Sequence, residues 1–269
     1  MVYRAHDTQT DTRVAIKTLL PSACAAVERF AQEIAILRTL QHENIVRYIA
    51  HGATDEGTPW LAMEWLAGEE LRTRLTRSGL SLRETVAMTR ALCAALDHAH
   101  AHGVIHRDLK PANVFLDAGD AARPKLLDFG VARHEQASVH VLERKGAVVG
   151  TPGYLAPEQA QGRADVDARA DLFSLGCVLY ECLAGRAAFI ATHPLALLGK
   201  VALAEVTPVA MLRPEAPPWL AALCTNLLQK DPSARLASAA AVKPSAAGPS
   251  RPAPPDEPPD FGPPRLATP

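Results

Sequence analysis

No excess of either charge marks this chain: Lys and Arg number 28 against 29 Asp and Glu, for a net charge of −1. So even a balance gives no electrostatic reason to bind nucleic acid or an anionic membrane, and partners must be read from sites instead. A cysteine framework is also missing. The five cysteines, Cys24, Cys93, Cys177, Cys182 and Cys224, are odd in number and none belongs to a CxxC. This speaks against a disulfide scaffold or a zinc site and fits a reducing cytoplasm. No apolar run reaches the roughly eighteen residues that a membrane helix needs, and the N-terminus has no basic-then-apolar leader pattern. There is no internal repeat. What remains is a chain of 269 residues, long enough to bury a sizeable core in one large domain or two small ones.

The first part of the chain changes period several times. Val2 to Ala5 and Val14 to Leu20 read as a strand hairpin around a polar Asp/Thr/Gln turn. From Ala25 to Leu40 the apolar residues Phe30, Ile34, Leu37 and Leu40 recur at three and four, which predicts a helix, with Glu33 beside the stripe. Ile45 to Ala50 and Trp60 to Leu66 read as strands split by the turn-prone Thr54-Asp55-Glu56-Gly57. After Gly68 the pattern becomes helical. Ser81-Leu82-Arg83-Glu84 is a capping box that opens a helix running to Ala99, with Gly103 as its stop. Helices are expected over Asp171 to Ala184, Pro194 to Ala204 and Pro217 to Leu228, the first apolar nearly all round and therefore buried. From Lys243 onward proline, alanine and serine dominate, and a segment with so little to bury is expected to be disordered. The expected units are 1–67, a small sheet-based lobe; 68–242, a mainly α lobe; and 243–269, a proline-rich tail.

Three strings stand in order in the middle of the chain: His106-Arg107-Asp108-Leu109-Lys110-Pro111-Ala112-Asn113, then Asp128-Phe129-Gly130, then Ala156-Pro157-Glu158. Together they supply what phosphoryl transfer from ATP requires: an aspartate to receive a hydroxyl proton, an asparagine and a second aspartate to hold Mg²⁺, and a platform for the substrate. Taken alone, Val14-Ala15-Ile16-Lys17 is an unremarkable apolar strand ending in lysine. Its value comes from Glu33, one helix later, with which Lys17 can pair. The alternating His98, His100 and His102 invite a metal assignment, but residues two apart on a helix face different ways, and imidazoles at a helix C-terminus are the plainer account.

In these motifs the chain resembles the eukaryotic-type serine/threonine protein kinases, from about Val2 to Val242. The resemblance implies an α+β bilobal fold, with a small antiparallel-sheet N-lobe carrying one main helix and a larger helical C-lobe. It implies ATP and Mg²⁺ (or Mn²⁺) as cofactors, and proteins bearing Ser or Thr hydroxyls as substrates. Lys17 would contact the α- and β-phosphates with Glu33 aiming it, Asp108 would act as the base, and Asn113 and Asp128 would hold the metal. Lys110 marks the serine/threonine form of the loop. Val2, Ala15 and Phe115 would enclose the adenine, with Met63 as gatekeeper and Glu64 to Leu66 as hinge. Thr151 would bridge Asp108 and Lys110, Asp171 would anchor the catalytic-loop backbone, and Glu158 with Arg235 would form a buried ion pair. Arg107 implies control by a phosphorylated activation loop. Between Gly130 and Gly150, however, the only hydroxyl residue is Ser138. Lys145 and Glu143 occupy the places where bacterial relatives carry threonines, so Glu143 is expected to supply a standing negative charge near Arg107.

The family's glycine-rich loop belongs immediately before Val2 and is not in the sequence as written, which begins at Met1. A translation start assigned too late is the expectation, with a Gly-x-Gly-x-x-Gly in frame upstream. The leading reading is an ATP-dependent protein kinase; the rival is a pseudokinase or scaffold that binds without transferring. A small-molecule phosphotransferase is a third reading, set against the platform that Gly150 to Glu158 would build. No nucleic acid and no membrane segment enter any of these, and oligomeric state stays open.

Overall fold

Two small antiparallel sheets and a set of helices divide the work of holding the site. The structure is a computed structural model that describes residues 1–19, 24–129 and 152–242. In the first sheet the strands β1 (Val2–Asp7), β2 (Thr12–Thr18), β3 (Tyr48–Ala53) and β4 (Pro59–Glu64) lie in the order β1-β2-β4-β3, every neighbouring pair antiparallel. The β1–β2 turn is closed locally by Asp7, which accepts from the Gln9 N–H and the Thr10 hydroxyl. Helix α1 (Cys24–Thr39) joins β2 to the loop before β3, and its stripe of Phe30, Ile34 and Leu37, with Leu40 just beyond, is buried as the spacing predicts.

The expected strand at Ile45 begins later, at Tyr48, and runs on to Ala53. Ile45 instead makes a single parallel bridge to Leu126, in the other half of the molecule. The backbone there has a different partner: Val46 N–H donates to Leu126 O at 3.0 Å and Leu126 N–H to Asn44 O at 2.8 Å. The loop 40–46 is thus a stitch between the two halves.

The region after Gly68 is not helical at once. Gly68–Glu70 forms β5, which pairs with β6 (Val114–Asp117), itself paired with β7 (Pro124–Leu126). Strands of three or four residues carry too few positions to show a period, which is why only the structure reveals them. Gly68 is needed there because a Cβ would lie 2.0 Å from the carbonyl oxygen of Leu116. Helices α2 (Leu71–Arg77) and α3 (Leu82–Ala101) follow, and both bonds of the Ser81/Glu84 capping box are present. Beyond the second undescribed segment come α4 (Pro157–Ala160), α5 (Arg169–Ala184), α6 (Pro194–Leu203), α7 (Val209–Leu212) and α8 (Pro218–Leu227).

Helix α5 is the pillar of this lobe. Its residues from Ala170 through Tyr180 are all buried, as the apolar run requires. It can approach α8 closely because Gly176 has no side chain; a Cβ there would sit 2.8 Å from the Leu227 Cβ. The helix ends at Gly185 in the left-handed conformation, φ 67°. Among the described residues, no helix is long and apolar enough to cross a membrane.

Candidate active site

Strand register brings the expected nucleotide residues to one face. Val2 pairs with Lys17 and Lys17 with Leu61, while Ala15 pairs with Met63. Directly opposed residues share a face and alternate residues return to it, so Val2, Ala15, Lys17 and Met63 all look the same way. Met63 is buried, whereas Val2 is 63% exposed. Phe115 is on β6 of the second sheet, half-buried. Glu64 falls on the opposite face. Its carboxylate accepts from the Arg47 N–H at 2.9 Å and from Lys125 Nζ at 2.7 Å, so its side chain ties β4 to the residue before β3 and to β7. Its own N–H donates to Arg47 O. Leu66, two residues on, makes no backbone hydrogen bond among the described residues.

Lys17 is the centre of the charge network. Its Nζ donates to Glu33 Oε1 and to Asp128 Oδ1, each at 2.7 Å, and so joins β2, α1 and the segment after β7. Burial works against the ammonium, but the two carboxylates outweigh it and hold Lys17 above its ordinary range. Burial also pushes Asp128 upward, and there the pull of Lys17 wins and the group sits low. For Glu33 burial prevails over Lys17, with repulsion from Asp128 adding to it, and the carboxyl is raised. A cavity of about 310 Å³ lined by Lys17, Leu19, Phe30, Glu33 and Phe129 lies alongside.

The catalytic-loop string is held from below by one aspartate. Asp171, wholly buried on α5, accepts the N–H groups of His106 and Arg107, each at 2.8 Å, and Nε2 of His100, also at 2.8 Å. These bonds stabilise a strained backbone, for Arg107 has φ 62°. His106 donates through Nε2 to Leu127 O and accepts the Asp108 N–H at Nδ1, which defines it as a neutral imidazole; its ring packs 4.6 Å from that of Phe129. Lys110 Nζ lies 2.8 Å from Asp108 Oδ2, and Asn113 Nδ2 donates to the Asp108 carbonyl at 2.8 Å and to Oδ2 at 3.1 Å. Leu127 N–H in turn donates to Asn113 O, so Asp108, Lys110 and Asn113 form one cluster tied to the residue preceding Asp128. With the Asn113 nitrogen committed to Asp108 and Asp128 Oδ1 to Lys17, the Asn113 side-chain oxygen and the other oxygen of the half-exposed Asp128 are the atoms left over among the described residues. Two hard oxygen donors of this kind suit Mg²⁺ or Mn²⁺.

Arg107 has its Nε buried without a hydrogen-bond partner among the described residues, and burial holds its guanidinium low despite the nearby Asp171. Its carbonyl accepts from Gln159 Nε2 at 3.2 Å. Glu143 and Thr151 lie outside the described residues. Glu158 and Arg235 meet in two bonds of 2.7 and 2.8 Å. Two contributors escaped the sequence reading. His100 could not be singled out from its alternating neighbours, yet it alone of the three reaches Asp171; His98 and His102, four residues apart, share a face and their ring centroids lie 4.5 Å apart. Glu181 was invisible inside an apolar helix, where it accepts the Tyr154 hydroxyl at 2.6 Å and burial raises its carboxyl.

Comparison with known proteins agrees with this geometry. Residues 1–245 match the protein kinase domain family. A probable serine/threonine-protein kinase of Streptomyces coelicolor is 39% identical over 249 residues, covering 88% of this chain and 36% of that protein. Serine/threonine-protein kinase PknB of Mycolicibacterium smegmatis is 34% identical over 249 residues, covering 90% of this chain and 39% of that protein. Serine/threonine-protein kinase PksC of the same Streptomyces is 38% identical over 254 residues, covering 90% and 45%. The chain thus spans less than half the length of these curated relatives. It has the two-part α+β architecture of a kinase domain, and it belongs to the protein kinase domain family.

Proposed function

We propose that this domain transfers the γ-phosphoryl group of ATP to Ser or Thr hydroxyls of protein substrates. The observation that carries this reading is Lys17 bonded at once to Glu33 and Asp128, opposite the cluster of Asp108, Lys110 and Asn113. Lys17 grips the α- and β-phosphates and Glu33 keeps it aimed. Val2, Ala15, Met63 and Phe115 enclose the adenine, and the backbones of Glu64 and Leu66 meet its edge. Asp108 orients the incoming hydroxyl and accepts its proton as the oxygen–phosphorus bond forms and ADP departs, while Lys110 offsets charge on the phosphoryl oxygens. Asn113 and Asp128 are the residues that would hold Mg²⁺, which when bound supplies charge neutralisation at the phosphates. Arg107, Glu143 and Thr151 set the activation segment, and Asp171, Glu158 and Arg235 support it. The N-lobe is taken as 1–67, the C-lobe as 68–242, and the site of action as the cytoplasm.

The scaffold reading requires a degraded cleft, and the bonded residues described above argue against it. The test is transfer of labelled phosphate from Mg-ATP to a general protein substrate, read as phosphoserine and phosphothreonine. Asp108→Asn should lower the rate by about 10²–10⁴-fold while leaving the thermal shift with Mg-ATP in place. A clear thermal shift in the unaltered protein, with no transfer under any condition, would decide for the scaffold.

A further inference from the structure

The loop 40–46 and helix α3 meet through imidazoles, a feature that phosphoryl transfer does not use. The His42 ring lies 5.3 Å from that of His98, and His98 lies 4.5 Å from His102. His98 Nε2 is buried with no hydrogen-bond partner among the described residues, and His102 donates from Nδ1 to the His98 carbonyl at 2.8 Å. His42 accepts the Asn44 N–H at Nδ1, 3.0 Å away, which only an imidazole with a bare Nδ1 can do. Asn44 is the stitch itself. Its side chain donates to Pro124 O at 2.9 Å, and its carbonyl accepts the Leu126 N–H. From this geometry we propose that the joint between loop 40–46 and the C-lobe is a pH-sensitive latch, closed when His42 is neutral and loosened when it gains a proton.

The surroundings give the latch its direction. His42 faces His98 on α3, Lys125 on β7 and Glu43 on its own loop. Arg38 of α1 and Arg47 line the same cavity of about 520 Å³ beside it, which also opens the ring to water. Glu64 lines that cavity too, but is bonded to Lys125. Asp97, an acid of the same turn of α3, acts on Cys93. A proton on His42 is opposed by Lys125 and favoured by Glu43, and it converts the acceptor of the Asn44 N–H into a donor. Burial, followed by His98, already holds His42 below its ordinary value. A base held low binds protons more readily once the joint is open, so the latch is complete above the ordinary histidine value of about 6.5 and is lost as pH falls through and below it. Loosening it frees the end of α1, the helix that carries Glu33. The latch belongs to the fold and stands whether or not the cleft transfers phosphate.

Amide hydrogen exchange on the full chain tests this without a catalytic readout. After correction for intrinsic exchange, protection of Asn44, Val46 and Leu126 should fall about tenfold between about pH 7.5 and about pH 5.5, with Leu175 in α5 holding its protection. In His42→Asn, whose side-chain oxygen can accept the same N–H two residues on without titrating, the fall should shrink to less than about twofold. His42→Asp, an acceptor of the same reach that stays ionised over this range, should shrink it in the same direction and serves if His42→Asn fails to fold. Unchanged protection in the unaltered protein, an equal fall in the variants, or a matching fall at Leu175 would each overturn the latch.

Discussion

Lys17 and Arg235 each anchor a carboxylate network, in opposite surroundings. Arg235 grips both oxygens of Glu158, and its remaining N–H groups go to the carbonyls of Gln229, Arg169 and Lys230; the side chains are 0% and 4% exposed. Nothing in that network is left over. Lys17 instead touches one oxygen of each of two acids on different elements, and one of them, Asp128, is half-exposed. The first network is finished and supports the floor of the C-lobe. The second spreads one cation over two acids and reaches toward solvent at Asp128, as suits a ligand site. The same chemistry thus serves architecture when it is closed and dry, and binding when it is open and shared.

That contrast can be broken at the closed end first. Glu158→Ala leaves the Arg235 guanidinium buried and unpaired, and should cost about 3–5 kcal/mol of stability by denaturant unfolding. A loss below about 1 kcal/mol would put this pair in the surface class and erase the difference. Next comes Gly176→Ala, which drives a methyl into Leu227 and should cost about 1–3 kcal/mol unless α8 can slide away.

At the open end the expected effect on stability is smallest. Glu33→Gln should alter it least, because Lys17 keeps Asp128 as a partner, yet weaken Mg-ATP binding measured by calorimetry. Its pH dependence has a definite sign. Burial raises Glu33, so the native state holds its proton more tightly than the unfolded chain does. Stability from this group is complete below the ordinary carboxylate value and is lost as pH rises through the raised one. The glutamine variant should therefore gain on the unaltered protein across that window, as read from melting temperature against pH. A variant that instead falls behind as pH rises would show that the Lys17 contact outweighs burial.

Much of this was legible before any coordinates. The periodic stripe Phe30, Ile34, Leu37 and Leu40 and the capping box at Ser81 and Glu84 depend on neighbours within a turn or two, so spacing is enough to place them. The catalytic-loop string was legible for the same reason, since Lys110 and Asn113 reach Asp108 within five residues. The short strands β5 to β7 were not, because three or four residues show no period. Ile45 was read as strand because an apolar β-branched residue suits one; its bridge to Leu126 comes from a partner 81 positions away. The histidines show the boundary most clearly. Spacing on α3 could pair His98 with His102, but only packing could turn His100 to Asp171 or bring His42 to His98.

By itself, then, the sequence determined which groups are present, the helices that carry them and the family to which the chain belongs, because these follow from local periodicity and from residue types held at short range. Tertiary structure alone decided that Lys17 has two carboxylate partners, that Glu64 turns away from the cleft to hold Lys125, and that His100 joins Asp171 beneath the catalytic loop. Those contacts join segments tens of residues apart, where the free energy of packing the intervening chain, rather than any local preference, selects the partner.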